Sequence, residues 1–279
     1  MIEVIFLFVL ALIWIVFAVV SDLRKREIPN WLCFSLIVFA LGFRFFYSFF
    51  QGENFSFFYH GLIGFGIFLV LGNLLYYGRM FAGGDAKLMI AFGAVLPFSN
   101  IFSENLIIFI LFFLLFLVVG AVYGLVWSLL LSLRNFKNFK KEFYKQLIKN
   151  KTMFKLIMFL GLVFMIAGFF EGSLFYFGIL IFLFVYLYTY AKAVDEACMI
   201  KKISSNKLTE GDWLYEDVKI GKKTIKANWD GLTKEQIKMI KGKHKSVLIR
   251  QGIPFGPVFL IAFLILFYFW QSGLWNSFW

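Results

Sequence analysis

The sequence predicts an all-α polytopic membrane protein, with about 6–8 transmembrane helices and a small cytoplasmic α+β domain. Three observations carry that expectation. Of the 279 residues, 61% are hydrophobic and 41 are Phe, more apolar surface than one soluble core can hide. Apolar runs of roughly 20 residues recur, which is the length that crosses a bilayer. Lys and Arg gather between alternate runs instead of scattering. A transmembrane barrel would alternate apolar with polar residues along each strand, and these runs are unbroken.

The first run, 4–20, has no basic stretch before it and no small-residue cleavage site after it. It therefore reads as a retained helix, not a removed signal. Segments 31–50, 58–77, 86–102 and 106–133 follow, the fourth interrupted by Pro97. Segments 154–170 and 174–191 form a hairpin about Glu171 and Gly172, and 257–270 is the last of eight. Between them, 134–151 interleaves Lys and Arg with Phe, as suits an interfacial helix on anionic lipid. Segment 192–250 is polar enough for a small domain. In it 213–220 and 224–229 are strand-like and joined through Gly221-Lys222-Lys223 as a hairpin. Thr233 and Gln236 have the spacing of a capping box that opens a short helix to Ile240, and 246–249 is a third strand. The expected organisation is a transmembrane core at 1–133, which contains both Asp22 and Asp85, a basic interfacial segment at 134–153, and a transmembrane hairpin at 154–191. The α+β domain at 192–253 and a last helix at 254–279 complete it.

Net charge is +12, and its placement is informative. The basic clusters are Arg24-Lys25-Arg26, Arg79 with Lys87, 134–155 and 192–250. The blocks between carry Glu3, Glu53, Glu104 and Glu171, with Arg44 as the one basic exception. The excess of Lys and Arg assigns the clusters to the cytoplasm, and 51–56 and Glu171 to the outside. Trp275 and Trp279 then belong at the outer interface. Nucleic-acid binding, the other reading of a basic chain, fits poorly because the charge follows topology. Only Cys33 and Cys198 occur, so neither a disulfide framework nor a CxxC zinc motif can form. His60 and His244 lack metal-ligand company, and neither a metal nor a cofactor is expected.

Asp22 and Asp85 are the only Asp residues before Asp195, and each stands at the edge of an apolar run. An ionisable group at a membrane boundary is expensive and points to function. Two at one depth suggest a catalytic carboxylate pair. Two carboxyls about 3 Å apart share a proton. The ionised partner takes a proton from water while the protonated one donates to the scissile carbonyl. Gly83 and Gly84, before Asp85, let a substrate backbone come close. The sequence has no HExxH, no Gly-x-Ser-x-Gly and no Cys paired with His. Other readings stay open at this point. Asp85 can serve as a helix N-cap and Asp22 as an exposed interfacial charge, and transporters use isolated carboxylates as proton relays.

Asp22 followed by Ile28-Pro29-Asn30, with Gly83-Gly84-Asp85-Ala86-Lys87-Leu88 two helices later, resembles the prepilin peptidase family of GxGD aspartyl proteases. The resemblance spans about 4–102. The long polar insertion and Gly252-Ile253-Pro254-Phe255-Gly256-Pro257 before the last helix resemble the archaeal branch, the preflagellin and archaeal type IV prepilin peptidases. The resemblance implies a membrane aspartyl endopeptidase. It would remove a short basic leader, a class III signal peptide, from type IV pilin-like or archaellin precursors at the cytoplasmic face of an archaeal cell membrane. It implies Asp22 and Asp85 as catalytic, and Gly83, Gly84, Lys87, Pro29 and Asn30 as substrate-binding. The implied partners are the precursors and the lipid bilayer; oligomeric state is not fixed. Ala82 departs from the first Gly of the motif, and the paired CxxC elements of bacterial members are missing, leaving a zinc site and a linked methylation without support. Eight segments exceed the six expected of a preflagellin enzyme. The lack of a Pro-Ala-Leu element argues against a presenilin-like enzyme. The acidic cluster Glu210, Asp212, Glu216 and Asp217 suits either a solvated hairpin face or attraction of a basic leader. From other classes, an ion-coupled transporter and a pilus or secretion assembly scaffold remain as alternatives.

Overall fold

The computed structural model describes residues 2–51, 55–221 and 223–273. Expectations placed on Glu53, Lys222, Trp275 and Trp279 lie outside the described residues. Helices α1 (Ile2–Lys25), α2 (Asn30–Gln51), α3 (Ser56–Tyr77), α4 (Gly83–Val95) and α5 (Phe102–Arg134) come first. They are followed by α6 (Phe136–Lys149), α7 (Lys151–Ala167) and α8 (Gly172–Cys198). Strands β1 (Ile200–Ser204), β2 (Trp213–Leu214), β3 (Val218–Ile220) and β4 (Lys223–Ile225) precede α9 (Lys234–Lys241), β5 (Ser246–Arg250) and α10 (Gly256–Gln271).

Each of the eight apolar segments forms a helix, and the chain is a polytopic helical membrane protein. Among the described residues α1, α2, α3, α5 and α8 are long and apolar enough to cross a bilayer. A sixth span results if α6 and α7, bent by 77° at their junction, are taken together. Helix α4 is 13 residues, about 20 Å at 1.5 Å per residue, short of the roughly 30 Å hydrocarbon core. The fourth segment therefore narrows from 86–102 to a half-helix that stops before Pro97. Helix α10, at 16 residues, is also short.

The chain divides into two compact units: Met1–Gly124 with Pro254–Trp279, and Leu125–Ile253. In the first, Phe92 of α4, Phe112 and Phe116 of α5, and Phe259 and Phe263 of α10 are fully buried. Phe92 stacks on Phe112 at 4.8 Å and on Phe259 at 5.7 Å between ring centroids. Helices in lipid gain little from hydrophobic association, so close packing depends on shape and small residues. Helix α4 meets α3 backbone to backbone at Gly64 and Gly93, where a Cβ on either would overlap the other's carbonyl.

Arg44, the exception in the charge pattern, is 0% exposed on α2. Its Nε donates to the Ala94 carbonyl at 2.9 Å, and its terminal nitrogens donate to the carbonyls of Phe57, Val95 and Pro97. Its guanidinium lies 4.3 Å from the centroid of the Phe57 ring. The last carbonyls of a helix lack intrahelical donors, and Pro97 cannot continue the ladder. Arg44 supplies the missing donors, so a buried cation closes α4 instead of marking a cytoplasmic loop.

In the second unit α7 and α8 approach closely at Gly161 and Gly178. Strands β1 and β2 flank β5, both antiparallel to it. Strands β3 and β4 form the expected hairpin, Val218 opposite Ile225. The Thr233–Gln236 capping box forms at the head of α9. The expected strand 213–220 divides: its start joins the three-stranded sheet and its end joins the hairpin. Strand β1 was not expected, because Lys201 and Lys202 make it read as linker; Ile203 faces the core of Leu208, Leu214, Val247 and Ile249.

Candidate active site

Along α1, Val4, Leu7, Ala11, Ile15, Ala18 and Asp22 are buried, spaced by three and four residues. This is the inward stripe of an amphipathic helix, and Asp22 is its final position. Asp22 is 6% exposed although it lies in the last turn. The helix ends where Arg26 takes a left-handed φ of 59° and donates its N–H to the Asp22 carbonyl at 2.8 Å. A non-Gly residue adopts that conformation at some cost, and it serves here as a helix terminator. The Ser21 hydroxyl donates to the Glu27 carbonyl at 2.8 Å, which folds the following chain back. Ile28, 5% exposed, is thereby buried.

Asp85 lies in the first turn of α4, after Gly83 and Gly84 and an extended N-cap, Ala82. The Ala82 backbone N–H acts on its carboxylate, the reach-back of a capping residue. The two motifs touch at two points. A Cβ on Gly84 would lie 3.1 Å from the Ile28 Cβ, so α4 meets the Ile28-Pro29-Asn30 element with no room to spare. The Lys87 Nζ donates to the Asn30 Oδ1 at 2.7 Å. Asp85 lies within the electrostatic field of Asp22. Of the residues expected to bind substrate, Gly84, Lys87 and Asn30 thus join the motifs to each other. Gly83 has Tyr76 as its neighbour, 3.7 Å from an added Cβ, and the Pro29 carbonyl accepts the Leu32 N–H at 3.1 Å.

Several residues here escaped the sequence reading. Cys33 is buried within the field of Lys87 and Asp85. Tyr123 of α5 lies within the field of Asp22 and Arg26. Phe255 stands edge-on to Tyr123, with centroids 6.5 Å apart, and 5.7 Å from Phe116. The Gly256 N–H donates to the Asp22 Oδ2 at 2.7 Å. A lone Cys or Tyr in a greasy run gives no sequence signal. The Gly-Pro pair heading the last helix was the available clue for Gly256.

The Asp22 charge reaches Asp85, and the backbone amides of Phe255 and Gly256 and the Arg26 guanidinium act on Asp22. Among the described residues no group of three or more His, Cys, Asp and Glu side chains is placed to hold a metal ion. The His60 Nδ1 is bonded to the Ser56 carbonyl at 2.7 Å and the His244 Nε2 to the Lys219 carbonyl at 2.9 Å. In the second unit, members of the acidic cluster serve local structure. Asp212 accepts the Thr209 N–H and Asp217 the Ala227 N–H, each at 2.8 Å, while Glu210 pairs with Lys234 at 3.5 Å. Burial pushes the Asp212 carboxyl above its usual value, against the Thr209 hydrogen bonds that favour its charge.

The sequence model of the type IV leader peptidase family matches residues 9–125. That stretch is less than half of the chain, and it contains both aspartates together with Ile28, Asn30, Gly84, Lys87 and Tyr123. Helix α10 lies outside it. No curated protein and no solved structure matches the chain.

Proposed function

We propose that this chain is a membrane aspartyl endopeptidase that removes the short basic leader from type IV pilin-like precursors, archaellins included, at the cytoplasmic membrane face. The observation that carries the reading is the meeting of two separate motifs. Asp22 lies in the last turn of α1 and Asp85 in the first turn of α4, and the Asp22 charge acts on Asp85 while Gly84 packs on Ile28. The match to the type IV leader peptidase family over 9–125 supports the same reading. Both aspartates belong to helix ends, not helix middles. That suits a peptide bond at the interface better than a proton relay through the bilayer. A precursor's apolar helix can stay in lipid while its leader reaches the pair. The basic clusters beside both aspartates support a cytoplasmic site. Pro29 and Gly83, at the edges of the two motifs, are the substrate-facing residues, and Lys87 with Asn30 sets their spacing. The 192–253 region acts as a separate cytoplasmic domain.

Purified protein in lipid, incubated with a pilin-like precursor, releases the leader, read as a mass change. Asp22→Asn and Asp85→Asn each abolish release while insertion and folding persist, because a shared-proton pair needs both carboxyls. Wild-type turnover in either variant would sink the proposal.

A further inference from the structure

The Asp22 carboxylate is held from outside its own motif. Its Oδ2 accepts the Gly256 N–H at 2.7 Å, and the Phe255 amide acts on the same group. Both amides sit at the head of α10, whose first turn contains Pro257. The first N–H groups of a helix have no acceptor within it, and together they form its positive pole. The approach leaves a side chain at this position little room. A Cβ at position 256 would lie 3.0 Å from the Asp22 Oδ2, 3.3 Å from its Cβ and 3.4 Å from the Val19 Cα. Asp85 takes its backbone contact from Ala82, inside its own helix head. The groups acting on Asp22 are Arg26 of its own chain turn and the two α10 amides; Asp22 in turn acts on Asp85 of α4 and Tyr123 of α5, and Lys87 and Asp85 act on Cys33.

We propose that Gly256 is a positioning residue for the reaction. Its N–H fixes one oxygen of Asp22 and holds Asp22 as the proton acceptor of the pair, which leaves Asp85 as the proton donor. The inference rests on the aspartyl peptidase reading. In the first step the water oxygen bonds to the scissile carbonyl carbon. The other Asp22 oxygen takes the water proton, and the Asp85 proton passes to the carbonyl oxygen. In the second step the C–N bond breaks. The proton on Asp22 goes to the leaving nitrogen, and one hydroxyl proton of the tetrahedral intermediate returns to Asp85. Both aspartates end as they began. Because α10 supplies the donor, the pair is complete only when the end of the chain is docked on α1.

The test replaces the residue 256 amide by an ester, through ribosomal incorporation of glycolic acid in the full-length chain. This removes the donor and adds no bulk. The expected result is a kcat about tenfold to a hundredfold lower, the cost of losing a hydrogen bond to a charged group. The acidic limb of the kcat profile moves to higher pH as well, which a loss of folded protein alone would not cause. Gly256→Ala keeps the N–H but crowds the carboxylate, and also lowers kcat at least about tenfold. Gly252→Ala, where an added Cβ meets open space, keeps the wild-type rate. An ester variant with wild-type kcat and an unmoved acidic limb overturns the inference. If the ester chain does not insert, a wild-type Gly256→Ala overturns it. Asp22→Asn and Asp85→Asn, run alongside, separate the two ideas. If either cleaves, the peptidase reading falls and this inference with it; if both are dead and the ester is normal, only the inference falls.

Discussion

Asp22 and Asp85 are positioned by different local routes. Asp22 is the last inward position of a long stripe, while Asp85 is a first-turn residue whose carboxylate is drawn to its own helix head. Gly84 makes their meeting possible, because Ile28 occupies the space a side chain would need. Gly84→Val is therefore expected to cut leader release by more than about tenfold, since a β-branched side chain forces α4 away from the Ile28 element. Ala82→Gly, at an N-cap where Gly is tolerated, is expected to stay close to wild type. Cleavage assays on both variants decide it, and equal rates would remove the claim that this contact sets the pair. The sequence made the motif residues legible by type and spacing. It did not reveal that Gly84 faces Ile28 or that Lys87 bonds Asn30, because those are contacts across a gap of more than fifty residues.

At the scale of elements, α4 depends on α2. A helix of 13 residues leaves its last carbonyls inside the protein, and Arg44 meets them. Arg44→Met is expected to lower stability by about 1–3 kcal/mol, the cost of a buried polar group left without its partner. Arg44→Lys keeps the charge but not the planar fork, and should fall between the two. Thermal unfolding in detergent measures this, and a Met variant that melts with the wild type would refute the anchoring role. Leader release should fall in parallel, because the same helix carries Asp85. In the second unit the capping box and hairpin were readable from local chemistry, whereas β1 was not. Its Lys-rich sequence resembles a linker until β5 pairs with it and Ile203 packs against the domain core.

For the whole molecule, topology carries the functional proposal. Single cysteines at Glu53, Gly78 and Asn138, with Cys33 and Cys198 replaced, provide the test. An impermeant thiol reagent on intact cells is expected to label the Glu53 position and spare the other two. Labelling at Gly78 while a cysteine at Arg24 stays silent would put the aspartates on opposite faces, and no shared-proton site could form. By itself the sequence determined the membrane class, the helical segments, the charge asymmetry and the two aspartates. Those follow from hydropathy, run length and residue type, all local along the chain. Only the tertiary structure decided that Arg44 is a buried cap instead of a topological marker, that α4 is a half-helix, and that α10 returns to hold Asp22. The reason is physical: a cap across helices, a close glycine approach and an amide donated from 234 residues away depend on which surfaces dock, and no local pattern encodes that.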